Sequence, residues 1–210
     1  NLRWEVPAGD WTSLLFVCAN HGQQLIVPSP NSGGPMIDFF DPRATEFHLR
    51  HIVTTILQEL GRKSFVGTSF KTMEFDSMEL DGFTPWTETM AKEFDRHVGY
   101  SVIRFLPLLT GWKLDDPEAQ ERFLYDWKKF VSDRLIESHY AAGRKVLQSY
   151  GVKLIAEAGG PGPPIWDSNP VDGIKALGVV DIPRGEFWIR HRGIFLVKEI
   201  AAAAHVYDKR

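Results

Sequence analysis

Residues 73–82 read MEFDSMELDG. Glu74, Asp76, Glu79 and Asp81 crowd ten positions, with Met78 and Leu80 as the oily pair between them. The run just before, FVGTSF at 65–70, leans apolar. A chain that heads for a core and then turns sharply acidic is either entering a solvated turn or reaching a strand end where carboxylates act.

The pattern on either side favours alternating strands and helices. Residues 11–18 (WTSLLFVC) are rich in β-formers and predict a buried strand, with Cys18 as inert core. Asp41-Pro42 and Asp116-Pro117 each pair a capping side chain with proline at the first helical position. They predict helices reaching about Leu60, stopped by Gly61, and about Tyr150, stopped by Gly151, with Gly143 as a soft spot in the second. Thr84-Pro85 predicts another helix to about His97, ended by Gly99. Strands are expected within 65–76, at 152–156 (VKLIA) and at 179–183 (VVDIP); helical turns are expected at 170–177 and 193–207, the latter packing His205. This succession argues for parallel βα units.

Three of these strands run out into acids: the 74–81 cluster, Glu157 and Glu186. In parallel α/β folds the sites lie at the carboxyl ends of the strands. A carboxylate at a strand edge needs water or a partner, because desolvating it is costly. Two readings follow: an acidic cleft at one end of a barrel, or three solvated loop acids. A cleft with Trp nearby suits glycoside hydrolysis, binding of a hard cation, or sugar binding without catalysis.

Other chemistries fit poorly. Ser77 lies outside a G-x-S-x-G elbow, no H-E-x-x-H occurs among the seven His, and AGGPGPP at 158–164 lacks the Lys-Ser/Thr of a phosphate loop. His48 and His51 share one helix on a solvated or packed face. The net charge of -3, with no basic stripe, argues against nucleic acid, and no apolar run is long enough to span a membrane. A single cysteine excludes an internal disulfide framework. The 210 residues open on NLRW and close on DKR in mid-pattern, so both ends are expected to be cut.

DSMELDGFTPWTETMAKEFDRHVGYSVIRFLPLLTG at 76–111 resembles the α-L-rhamnosidases of glycoside hydrolase family 106. FLYDWKKFVSDRLIESHY at 123–140, YGVKLIAEAGG at 150–160, the 180–188 segment (Val180 standing for the family's Ala) and VKEIAAAAHVYDKR at 197–210 are similar to later family segments in the same order. PSPNSGGPMIDFFDP, from residue 28, resembles an early barrel loop.

The resemblance implies an α/β fold: part of a (β/α)8 TIM-type barrel at 28–210, preceded by an N-terminal β-segment at 1–27. It implies inverting hydrolysis of terminal α-L-rhamnose from plant glycans or glycosides, assisted by calcium, in a secreted or periplasmic protein. Glu79 and Glu186 match the candidate acid–base carboxylates, unless Arg184, Arg190 or Arg192 merely pairs with them. Glu157 matches an acid that holds sugar hydroxyls or calcium. Trp166 and Trp188 are candidates for stacking on the sugar, and Asp38 and Asp76 are loop caps or calcium ligands. A further family Glu lies on a strand expected beyond Arg210. Alternatives are a non-catalytic sugar-binding relative and a barrel glycosidase of other specificity.

Overall fold

The computed structural model describes residues 3–20, 22–25, 28–78, 80, 84–158, 171–185 and 195–209. Three parallel strands form one sheet in the order β1 (Thr72–Phe75), β2 (Lys153–Ala156), β3 (Ile182–Pro183). The described residues also form six α-helices: α1 (Pro42–Glu59), α2 (Met90–Val98), α3 (Pro117–Leu135), α4 (Ala142–Ser149), α5 (Gly173–Val179) and α6 (Phe195–Val206). A 3-10 helix, Val102–Thr110, joins α2 to α3, and a π-helical turn, Ile136–Ala141, joins α3 to α4.

Local signals explain the helix starts. The Asp41 carboxylate accepts from the Arg43 N–H, Asp116 from Ala119 and Asp172 from Lys175, so each satisfies a donor the helix leaves open. In α1 the buried residues Thr45, Leu49, Val53 and Leu57 recur every fourth position and form the core-facing stripe. Gly61, Gly99 and Gly151 follow their helices at positive φ (61°, 92° and 74°), a conformation that side chains resist.

The sheet is short and alternating. Met73, Phe75, Leu154 and Ala156 share one face by register, and Phe75, Leu154 and Ala156 are buried. Gly143 is a close-approach site on that face: a Cβ there would lie 2.7 Å from the Phe75 ring and 3.2 Å from Leu49. Asp181 pins β3 to β2, accepting from the Leu154 N–H at 2.9 Å while pairing with Arg144 of α4 at 2.8 Å. No described helix is long and apolar enough to cross a membrane.

Several expectations need correction. Residues 11–18 form no strand, and Leu14, Leu15, Phe16, Val17 and Cys18 are exposed; β-formers alone make no strand where no neighbouring backbone pairs with them. Trp4 and Trp11 instead meet edge to face, with centroids 5.4 Å apart. Within the expected 65–76 window the strand is Thr72–Phe75, as expected, while the 65–70 run before it is a turn with Gly67 at φ 73°. The helix expected from Pro85 starts at Met90, and the 3-10 helix was not expected. The last strand shrinks to Ile182–Pro183, and His205 is exposed rather than packed. The long helix is expected correctly in extent, but it is broken by the π-helical turn.

Gly143→Val is expected to lower stability by roughly 2 kcal/mol, since the added methyls must displace the Phe75 ring from a close-packed core. An unchanged urea midpoint contradicts this packing.

Candidate functional site

The three strands share one hydrogen-bonded ladder, and it continues past their ends. The Glu157 N–H donates to the Phe75 carbonyl at 3.2 Å, and the Arg184 N–H donates to Ala156 at 3.1 Å. Since Phe75 pairs with Ala156, and Ala156 with Pro183, the next residues (Asp76, Glu157 and Arg184) exit side by side. Glu74 lies two residues before Asp76, on the same side of β1.

One carboxylate oxygen each from Glu74, Asp76 and Glu157 falls within 4.8 Å of the others. Glu157 is only 3% exposed, whereas Glu74 and Asp76 are open to solvent. The Arg184 guanidinium bridges Glu74 and Glu157, reaching the latter at 2.5 Å. Of the expected cleft acids, Glu157 therefore meets Glu74 and Asp76, with Arg184 among them. Glu74, one of the four crowded acids, is a strand residue that pairs with this arginine. Asp76 also receives the Ser77 N–H at 2.9 Å, so it is both a loop cap and a cluster member. Asp38 caps its own loop by accepting from the Phe40 N–H at 2.9 Å.

Three oxygen donors of this kind fit a hard divalent cation such as calcium. Arg184 sits where part of that charge would go, so a cation there would replace its contacts.

Glu79, Glu186, Trp166 and Trp188 lie outside the described residues. Trp86, which the sequence reading passed over, stacks on the buried Trp127 with centroids 5.9 Å apart. It lines a cavity of about 830 Å³ together with Phe16, Asn20, Asp38 and Glu88. The loop at one wall is held from behind: Arg134 and Ser138 donate to the Phe40 and Phe39 carbonyls at 3.0 and 2.8 Å.

Beneath this loop the π-helical turn buries two polar groups that the sequence reading missed. His139 packs against the rings of Phe39, Phe75 and Tyr140, with centroids 4.8–5.1 Å away, and its Nδ1 lies 3.3 Å from the Thr45 hydroxyl. Burial, reinforced by nearby His48, pushes its pKa down to about 3, so it is a neutral imidazole. Tyr140 is fully buried, and its hydroxyl has no hydrogen-bond partner among the described residues. Such an orphan costs about 1–3 kcal/mol. A π-turn that breaks a long helix beside strand ends is a common mark of a functional region.

The fold and site define a parallel α/β protein with carboxylates converging at strand ends. Compared with known proteins, residues 1–210 match the family model for glycoside hydrolase family 106, described as alpha-L-rhamnosidase. The chain belongs to this family. It is 31% identical over 188 residues to a protein of Formosa agariphila named a putative beta-glucuronidase, covering 89% of this chain and 15% of that protein. It superposes on the rhamnosidase from Novosphingobium sp. PP1Y with a TM-score of 0.76 and 27% identity, covering 89% of this chain and 18% of that one. The chain thus spans less than a fifth of either relative's length.

The His139 environment makes a pH prediction. Its folded pKa of about 3 lies below the ordinary 6.5, so the unfolded chain takes up the proton first. Its contribution to stability is complete above pH 6.5 and is lost as the pH falls towards 3. His139→Gln should therefore show a flatter fall in stability between those pH values, whatever its offset at neutral pH. Equal slopes for the two proteins in urea titrations contradict a buried neutral histidine.

Proposed function

We propose that this chain supplies part of the active-site end of a (β/α)8 glycoside hydrolase that removes terminal α-L-rhamnosyl residues from plant glycans with inversion. The observation that carries the reading is the convergence of Glu74, Asp76 and Glu157 at adjacent parallel strand ends, in a chain whose family is rhamnosidase-type. Residues 28–210 are the barrel portion in this reading, and 1–27 lead into it. The whole protein acts outside the cytoplasm or in the periplasm, where such glycans are met.

Inversion needs one carboxylic acid to protonate the leaving oxygen and one carboxylate to activate water on the opposite sugar face. Glu79 and Glu186 are assigned to that pair by their family motifs. Glu157 accepts from a sugar hydroxyl: its carboxylate is walled off from water, so a ligand donor replaces solvent there. Trp166 and Trp188 offer flat apolar faces to the sugar ring. A calcium ion, when bound, supplies positive charge that fixes sugar oxygens, and Glu74, Asp76 and Glu157 are the residues that would hold it. Arg184 keeps those carboxylates paired otherwise.

A second reading is favoured by the relative named a putative beta-glucuronidase. A uronic acid brings its own carboxylate, and Arg184 at the cluster is the described cation best placed to meet it.

Nitrophenol release from the full-length gene product, with calcium and with chelator, separates these readings. Turnover of para-nitrophenyl α-L-rhamnoside is expected, lost on chelation and reduced at least about a hundredfold in Glu186→Gln. Turnover of the β-D-glucuronide alone would replace the rhamnosidase reading. Failure to cleave any aryl glycoside, with sugar still bound, would make the protein a binding relative.

A further inference from the structure

Asp181 precedes β3, at the end of the strand remote from the carboxylates, and its side chain is only 11% exposed. It meets both backbone groups of the buried Leu154. Its N–H donates to the Leu154 carbonyl at 3.1 Å, and its Oδ2 accepts from the Leu154 N–H at 2.9 Å. Its Oδ1 accepts from Arg144 Nε at 2.8 Å and from Gln148 Nε2 at 3.2 Å, both on α4. One carboxylate thus ties β2, β3 and α4 together. An acid at the entry end of a parallel strand ordinarily serves stability alone.

The shortness of β3 gives this acid a second consequence. Of its two residues, Pro183 has no N–H to give the ladder. The next N–H along, that of Arg184, donates to the Ala156 carbonyl at 3.1 Å. At the other end the Asp181 side chain adds a rung that so short a strand would otherwise lack. A one-residue slip turns every side chain of a strand to the opposite face. Here it would also leave the Leu154 N–H and a nearly buried carboxylate without their partners, which is costly. Asp181 therefore favours the observed register, and in that register Arg184 reaches Glu74 and, at 2.5 Å, Glu157.

We propose that Asp181 is a positioning residue for the candidate site: by fixing the register of β3 against β2, it places the Arg184 guanidinium on Glu157 and Glu74 and so orients Glu157 for a sugar hydroxyl. The sugar half of this rests on the rhamnosidase reading; the placement of Arg184 does not. Asp181 acts through Arg184, from the opposite end of the strand.

The test uses the full-length gene product with Asp181→Leu, Asp181→Asn, Arg184→Met and the Asp181→Leu/Arg184→Met pair. They are read by the urea midpoint and by kcat and KM on para-nitrophenyl α-L-rhamnoside. Asp181→Leu should raise KM roughly fivefold with little change in kcat, as for a lost binding contact. Asp181→Asn keeps an acceptor for the Leu154 N–H and should return KM to within about twofold of the parent. In the Arg184→Met background Asp181→Leu should change KM by less than about twofold, because the arginine it places has gone. With no sugar present, the drop in midpoint caused by Arg184→Met should shrink by about half or more in Asp181→Leu. Asp116→Ala, which removes only the cap of α3, should lower the midpoint and leave KM unchanged. Should Asp181→Leu fail to fold, Asp181→Ser, which withdraws the acceptor without adding an apolar side chain, takes its place in the same cycle.

A lowered midpoint with unchanged KM, as in Asp116→Ala, makes Asp181 structural only and overturns the proposal. Equal rises in KM with and without Arg184 overturn it too, and so does an undiminished effect of Arg184→Met on the midpoint. A folded parent that neither cleaves the rhamnoside nor binds L-rhamnose fails differently: the rhamnosidase reading falls and the sugar half with it, while the midpoints still decide whether Asp181 places Arg184.

Discussion

A carboxylate held 3% exposed at a strand end is costly to desolvate without a cation beside it, and Arg184 pairs with Glu157. Much of the site's layout follows from this pair. The guanidinium leaves β3 and reaches across to β2 and β1, joining Glu157 to Glu74 over the three adjacent strands. A β3 of only two residues has few ladder bonds to fix its position. The ion pair and the Asp181 contacts to Leu154 and Arg144 do much of that fixing, one at each end of the strand.

The same arrangement explains why the acids can sit so close. Three carboxylates within 4.8 Å repel one another unless a positive charge is shared among them. Arg184 supplies that charge to Glu74 and Glu157. A divalent cation or a sugar's hydroxyl donors would take over part of the role, which makes the cluster responsive to what binds. The helical layer behind it packs closely: the His139 ring lies against Phe75, and Gly143 lets its helix approach the same ring.

What the sequence made legible was local. Asp41-Pro42 and Asp116-Pro117 mark helix starts because cap and proline act within one turn, and Gly99 and Gly151 mark ends because positive φ is a single-residue demand. The VKLIA strand is short, apolar and bounded by glycine and acid, and it forms as expected. Tertiary context decided the rest. Residues 11–18 have the composition of a strand, but composition cannot supply a pairing partner. Glu74 stood undistinguished among four crowded acids, because only the strand's bounds decide whether an acid is inside the ladder or beyond it. Arg184 was considered as a partner for Glu79 or Glu186, which lie outside the described residues; its described pairs are with Glu74 and Glu157, partners set by cross-strand register that a linear reading does not hold. His139 and Tyr140 sit in helical spacing like their neighbours, and nothing in their composition announces a π-turn.

The claim that the Arg184–Glu157 pair organises the strand ends is tested most directly by a double-mutant cycle on folding stability, with Arg184→Met, Glu157→Gln and the combination unfolded in urea. A coupling of roughly 2 kcal/mol is expected, each single change stranding a group that the double change removes together. Additive losses would contradict the account and leave the two side chains as independent occupants of neighbouring strand ends.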